Sequence, residues 1–117
     1  MKKKIVVADD DKDHIAVLTM MLEDAGYEVR STANRHTAQV VRDYLPDLLL
    51  LDIWMAGVDG RDVCKLLKSQ QPTKHIPIIM ISANHDTEKI AREAGADDCM
   101  TKPFDMDKLL ERVAQYV

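Results

Sequence analysis

Short apolar runs alternate with amphipathic stretches along the whole chain, and this alternation most constrains the fold. Continuous apolar runs are typical of strands that are buried on both faces of a sheet. Their alternation with helical stretches favours repeated βαβ units and a parallel sheet. The predicted strands cover 4–9, 27–30, 47–52, 77–82 and 97–101, and the predicted helices cover 13–25, 34–44, 60–70, 86–94 and 105–117.

The chain length decides between the two common parallel α/β architectures. Strand–helix units repeated within 117 residues fit an open sheet, whereas a closed eight-unit barrel needs about 250 residues. We therefore predict an α/β, flavodoxin-like (βα)5 fold, with a doubly wound five-stranded parallel sheet in the order 2-1-3-4-5. We treat 1–117 as a single domain, because half of this length would not enclose a sizeable core.

Composition excludes several classes of protein. The formal net charge of −4 does not suggest a nucleic-acid surface. Apolar runs fall well short of the roughly 18 residues that span a membrane, and the basic start lacks the apolar core of a signal peptide. Cys64 and Cys99 are far apart and form no CxxC pair, so a reduced, cytoplasmic setting is the simplest interpretation.

The predicted strands end in side chains that can act on a phosphoryl group. Asp9 and Asp10 follow the first strand's apolar run, Asp52 ends the third strand, Ser82 the fourth, and Lys102 follows the fifth. Neighbouring strands lie about 4.8 Å apart, and ligands of such sheets bind at the carboxyl ends where the strand order reverses. In the predicted order that point lies between the first and third strands, which both end in aspartates.

These groups suit a divalent cation and phosphoryl transfer to a carboxylate. The carboxylates would repel one another without a cation, and oxygen ligands favour Mg²⁺ or Mn²⁺ over Zn²⁺. Asp52 ends the central strand and is the best candidate for the nucleophile, with Asp9 and Asp10 holding the metal. The Ser82 hydroxyl could donate to a phosphoryl oxygen, and the Lys102 ammonium could cross the gap of about 10 Å to Asp52.

Together these motifs resemble the receiver domain of two-component response regulators, the CheY-like family. We also predict that the peptide bond before Pro103 is cis, since a Lys-Pro pair at a strand end fixes a turn. The resemblance covers essentially the whole chain. It is carried by residues 9–10, 51–55, 82–83 and 101–104, and by the loop sequences at 57–60 and 95–98.

The resemblance implies a phosphorylation switch that catalyses only its own phosphorylation and dephosphorylation and is not a turnover enzyme. A histidine kinase or a histidine phosphotransfer protein would donate the phosphoryl group to Asp52. Asp10, Asp52 and the backbone carbonyl of Trp54 would ligate Mg²⁺, and Asp9 would assist through water. The serine and the lysine at the neighbouring strand ends would bind the phosphoryl oxygens.

Two surfaces would contact partners. His14, Val17 and Met21 lie at i, i+3 and i+7 and resemble the family's docking surface for the phosphodonor; extra packing or a neutral exposed stripe are the alternatives. An unknown downstream protein would contact the face formed by the fourth helix, the fifth strand and the fifth helix. Met20 is assigned to the core, and the histidines are interpreted as surface residues.

The chain departs from the family pattern at three positions. Cys99 stands where the usual aromatic residue of the fifth strand would fall, which argues against a rotating-ring relay. Ala56 replaces a common proline four residues after the nucleophile, which should loosen that loop. Trp54 places a large indole two residues after the nucleophile, where it either shields an acyl phosphate from water or is a half-exposed loop aromatic.

Other classes of protein fit less well. An aspartyl phosphatase typically needs a second acid where this chain has Trp54, and it needs a substrate cap for which the length leaves no room. A flavodoxin-like electron carrier needs a Ser/Thr/Gly loop after the first strand, where the aspartates at 9–11 would repel a flavin phosphate. A receiver cut from a longer regulator remains an open alternative, because the chain stops where the fifth helix should end.

Overall fold

A parallel sheet with helices on both faces forms the molecule, and the computed structural model describes residues 2–33, 35–55, 57–83 and 85–117. Seven strands occur in the described residues, and five of them form the main sheet in the order β2-β1-β3-β6-β7. The strands are β1 Lys4–Ala8, β2 Glu28–Thr32, β3 Leu48–Asp52, β4 Trp54–Met55, β5 Val58–Asp59, β6 Ile78–Ser82 and β7 Asp98–Thr101. The helices are α1 Lys12–Asp24, α2 Thr37–Tyr44, α3 Gly60–Ser69, α4 Thr87–Ala94 and α5 Met106–Tyr116.

The main sheet has the predicted architecture. Strands β6 and β7 are the fourth and fifth strands of the predicted order 2-1-3-4-5, and every neighbouring pair in the sheet is parallel. The order reverses between β1 and β3, as predicted. The extra strands β4 and β5 form a separate antiparallel pair, and β5 falls within the loop sequence at 57–60.

Alternate residues of the central strands supply two apolar layers. One layer packs the sheet against α2, α3 and α4, and the other packs it against α1 and α5. All five residues of β3 and of β6 are buried, which explains why their sequences show apolar runs rather than alternation. The edge strand β2 is partly exposed and shows the alternating pattern instead.

Predicted element ends coincide with the observed ends or differ from them by at most three residues. Helix α2 begins at Thr37 rather than at 34. Asn34, where the second helix is predicted to begin, and Ala56 lie outside the described residues. The assignment of Met20 to the core is wrong, because its side chain is 58% exposed on α1. Among the described helices, none combines the length and the apolar character that crossing a membrane requires.

Candidate functional site

Three carboxylates meet at the carboxyl ends of β1 and β3. Asp9, Asp10 and Asp52 each offer an oxygen, and these oxygens all lie within 4.8 Å of one another. The register pairs Ala8 with Leu51, so the strand ends that carry the acids are adjacent. Asp9 and Asp52 are buried and Asp10 is exposed. The structure therefore brings together the three acids that the sequence pointed to.

Lys102 reaches this cluster from the end of β7. Its Nζ lies 3.6 Å from Asp9 Oδ2 and 3.6 Å from Asp52 Oδ2. Both distances exceed those of a direct N–H···O hydrogen bond, so the ammonium group is shared between the two carboxylates. The peptide bond between Lys102 and Pro103 is cis, as predicted.

Ser82 ends β6, the strand between Asp52 and Lys102. The register pairs Asp52 with Ile81 and Ser82 with Thr101, and the Ser82 carbonyl accepts a 2.7 Å hydrogen bond from Lys102 N. The serine is buried at the same edge of the sheet as the carboxylates.

Trp54 contacts the nucleophile candidate through its backbone, and its indole is held by a residue that the sequence did not indicate. Trp54 N donates to Asp52 Oδ1 at 3.3 Å, while the side chain is 47% exposed. The Arg61 guanidinium carbon lies 4.8 Å from the indole ring centroid, which is cation–π geometry. The Asp59 carboxylate accepts hydrogen bonds from the same guanidinium group. Arg61 Nη2 donates to Asp59 Oδ2 at 2.6 Å, and Arg61 Nε lies 3.0 Å from both Asp59 carboxylate oxygens.

Gly60 lets the start of α3 approach the end of β3. A Cβ at this position would lie 2.6 Å from the Asp52 carbonyl oxygen and 2.8 Å from Ile53 Cα. Gly60 N donates to the Ile53 carbonyl at 2.7 Å. The close approach therefore requires the absence of a side chain at residue 60 and fixes the backbone next to Asp52.

The pKa values of the two buried carboxylates shift in opposite directions, upward for Asp52 and downward for Asp9. Burial raises the pKa of Asp52 to about 6, with the Asp9 charge adding to the rise and Lys102 and Trp54 N opposing it. Burial also acts to raise the pKa of Asp9. There it is outweighed by the hydrogen bonds from Asp11 N and His14 and by the Lys102 charge, so the pKa of Asp9 is lowered.

His14 contacts the acidic cluster directly, contrary to the prediction that every histidine is a surface residue. Its Nδ1 lies 2.5 Å from Asp9 Oδ2, and its side chain is 18% exposed. Within the predicted docking stripe, Val17 is exposed and Met21 is half-buried. The other three histidines are exposed, as predicted.

The donor set fits a hard divalent cation. All three candidate ligands are carboxylates, and Mg²⁺ prefers oxygen ligands, keeps several waters and accepts phosphate oxygens. Among the described residues, the cluster that could hold a metal consists of carboxylates alone, without the nitrogen and sulfur donors typical of Zn²⁺ sites, and the His14 imidazole contacts Asp9 Oδ2. An apolar cavity of about 480 Å³ adjoins the cluster; its lining is His14, Ala83, Lys102, Pro103, Phe104 and Met106.

Comparison with known proteins shows the family to which this fold belongs. The sequence model of the response regulator receiver domain matches residues 5–114. The chain belongs to this family. The receiver is a module of two-component signalling, and the five-stranded sheet with its acidic edge is the fold that the sequence predicted for it.

The receiver is also similar to individual proteins. It is 36% identical over 116 residues to the DNA-binding response regulator MtrA of Mycolicibacterium smegmatis, an alignment covering 97% of this chain and 50% of MtrA. The chain thus spans about half the length of that relative. A crystal structure described as a response regulator from Chloroflexus aurantiacus matches with a TM-score of 0.92 and 34% identity, covering 99% of this chain and 98% of the other.

A third similarity concerns the fold alone. The receiver domain of a sensor histidine kinase from Pseudomonas aeruginosa matches with a TM-score of 0.90 and 24% identity, covering 99% of this chain and 98% of that one. That protein's crystal structure contains a magnesium ion coordinated in its active-site cleft.

Proposed function

We propose that this receiver accepts a phosphoryl group on Asp52 from a histidine kinase or a histidine phosphotransfer protein, in a Mg²⁺-dependent reaction. It then signals by changing its protein contacts. The observation that carries the proposal is the cluster of three carboxylates within 4.8 Å of one another, with an ammonium group 3.6 Å from the buried Asp52. Mn²⁺ is an alternative cation, because it favours the same oxygen ligands.

In the proposed reaction an Asp52 carboxylate oxygen attacks the phosphorus atom of a phosphohistidine. The new bond is an acyl phosphate, the phosphorus–nitrogen bond breaks, and the electron pair returns to the donor's imidazole. With a pKa of about 6 the Asp52 carboxylate is mainly ionised at neutral pH, as a nucleophile must be.

Each neighbouring group has a proposed role. Asp9, Asp10, Asp52 and the Trp54 backbone carbonyl would hold Mg²⁺, with Asp9 acting through water. The bound cation would neutralise charge on the carboxylates and the phosphoryl oxygens. Lys102 would move its shared ammonium group onto a phosphoryl oxygen, and the hydroxyl at the end of β6 would donate to another.

The proposed partner surfaces flank this edge. The exposed Val17 supports α1 as the phosphodonor's docking face, together with His14 and Met21. We assign the downstream partner to the α4–β7–α5 face, where the half-buried Cys99 replaces the family's aromatic residue. The net charge of −4 supports the proposal that this single domain makes no nucleic-acid contact itself, and its two free cysteines support a cytoplasmic setting.

An intact-mass measurement tests the phosphoacceptor. The protein is incubated with Mg²⁺ and acetyl phosphate, and we expect a mass gain of one phosphoryl group that chelation of Mg²⁺ abolishes. Asp52→Asn should gain nothing. Asp43→Asn, which removes an exposed acid on α2, should behave as wild type. A phosphoryl group on Asp52→Asn, or none on the wild type, would contradict the proposal.

A further inference from the structure

We propose that His14 is a positioning residue for the cation site: its Nδ1–H holds Asp9 Oδ2 and keeps that carboxylate oriented toward Asp10 and Asp52. The inference deepens the proposed function and rests on it. It also gives His14 a role distinct from that of a partner contact on α1.

The contacts of Asp9 show how its carboxylate is fixed. Its side chain is 3% exposed, Oδ1 accepts a 2.9 Å hydrogen bond from Asp11 N, and Oδ2 lies 2.5 Å from His14 Nδ1. An ionised carboxylate only accepts hydrogen bonds, so Nδ1 is the donor. Two donors on two different oxygens leave the carboxylate little freedom to rotate.

His14 is itself held in place from two sides. Asp11 caps the start of α1, where its Oδ1 accepts hydrogen bonds from Asp13 N at 3.0 Å and His14 N at 3.2 Å. The imidazole ring also lies against the Phe104 ring, with centroids 6.0 Å apart and planes inclined by 58°. The donor is therefore preorganised before any ligand arrives.

His14 and Lys102 share one oxygen, which links the imidazole to the nucleophile. Lys102 Nζ lies 3.6 Å from Asp9 Oδ2 and equally far from Asp52 Oδ2. Without the imidazole donor, Lys102 would be the nearest charged group to Asp9 Oδ2. The distance between Lys102 Nζ and Asp9 Oδ2 would then shorten to that of an ordinary charged hydrogen bond, about 2.8 Å. That movement would turn Asp9 away from the cation site and draw the ammonium group from Asp52.

Two substitutions of His14 distinguish the effect of its hydrogen bond to Asp9 from the effect of its side-chain shape. His14→Phe keeps a ring against Phe104 but has no donor, whereas the Asn side-chain amide in His14→Asn can occupy the place of Nδ1. By calorimetric titration we expect His14→Phe to bind Mg²⁺ about 10-fold more weakly than wild type. We expect His14→Asn to recover most of the affinity, and His75→Phe, at an exposed histidine, to leave it unchanged.

A metal-free measurement tests the same contact independently. In His14→Phe the NMR resonances of the Lys102 side chain and the Asp9 carboxyl carbon should shift, and in His14→Asn they should stay near the wild-type values. Wild-type affinity in His14→Phe, or equal weakening in both His14 variants, would overturn the role of His14 alone. A wild-type protein that neither binds Mg²⁺ nor gains a phosphoryl group would overturn the proposed function as well.

Discussion

At the scale of single residues, burial and charge separate two carboxylates that lie side by side. Asp9 has two hydrogen-bond donors and a shared ammonium group, which stabilise its ionised form. Asp52 shares that ammonium group and accepts a longer hydrogen bond, 3.3 Å, from Trp54 N, and burial is the largest influence on its pKa. A buried carboxylate that is ionised at neutral pH destabilises the metal-free fold.

The first prediction follows from the upward shift of the Asp52 pKa. Folding raises the pKa of Asp52 from 3.8 to about 6. The contribution of this carboxyl group to the stability of the fold is therefore fully present below pH 3.8 and is lost as the pH rises through about 6. We therefore expect Asp52→Asn to stabilise the metal-free protein at pH 7.5 by on the order of 1–3 kcal/mol, because the amide is uncharged. Urea unfolding with a chelator measures this.

The same substitution should have a much smaller effect near pH 4.5, where the folded protein already carries a largely protonated Asp52. Asp43→Asn serves as the control, because Asp43 is exposed on α2. An equal stabilisation of Asp52→Asn at both pH values would show that the buried charge is not its cause.

The second prediction concerns the indole of Trp54, two residues after Asp52. Arg61 lies over the Trp54 ring and donates a hydrogen bond to Asp59, so the ring is restrained although it is half-exposed. If the indole shields the acyl phosphate from water, Trp54→Ala should shorten the aspartyl-phosphate lifetime several-fold, and Arg61→Ala should shorten it less. Lifetimes are measured by intact mass after removal of acetyl phosphate; equal lifetimes would contradict the shield.

The sequence predicts which side chains lie at the site wherever their position along a strand determines their place. Asp9, Asp52 and Ser82 stand at strand ends, and a parallel sheet brings such ends to one edge whatever the side-chain rotamers are. The contacts of His14 with Asp9 and of Arg61 with Trp54 were not predictable in this way. They depend on rotamers that the surrounding three-dimensional packing selects.

At the scale of elements, β4, β5 and the start of α3 form a brace next to Asp52 at the end of β3. Strands β4 and β5 have only two residues each, too short for a periodic sequence signal, so the sequence predicts neither of them. The brace closes at Gly60, whose N–H donates to the Ile53 carbonyl at 2.7 Å. The sequence showed a glycine there, but not the backbone that it approaches.

The third prediction tests this brace. Gly60→Ala should destabilise the fold by about 2–4 kcal/mol, because backbone atoms rather than flexible side chains surround the added methyl group. It should also weaken Mg²⁺ binding by displacing Asp52. Gly57→Ala is the matched control: its φ of 72° is strained, but the space is open, so about 1 kcal/mol and unchanged Mg²⁺ affinity are expected. Urea unfolding and calorimetry measure both; similar behaviour of the two variants would contradict the brace.

At the scale of the whole molecule, two features of the sequence agree with the observed strand order. The first four residues of β3 and of β6 are apolar, as expected of central strands that are covered on both faces. The acids after β1 and at the end of β3 mark the point where the order reverses. The division of the helices between the two apolar layers then follows from right-handed crossovers.

The last prediction joins the site to the stability of the whole fold. A cation that binds only the folded protein stabilises it by about 2.7 kcal/mol at a concentration 100 times its dissociation constant. We expect Mg²⁺ to raise the midpoint of thermal unfolding at pH 7.5 in a saturable manner, and a chelator to reverse the rise. Asp52→Asn should lose most of this response although its metal-free form is the more stable, since it lacks one of the three carboxylates. KCl of equal ionic strength is the control for screening of the net charge of −4. An equal rise with KCl, or a full Mg²⁺ response in Asp52→Asn, would show that the stabilisation does not arise at this site.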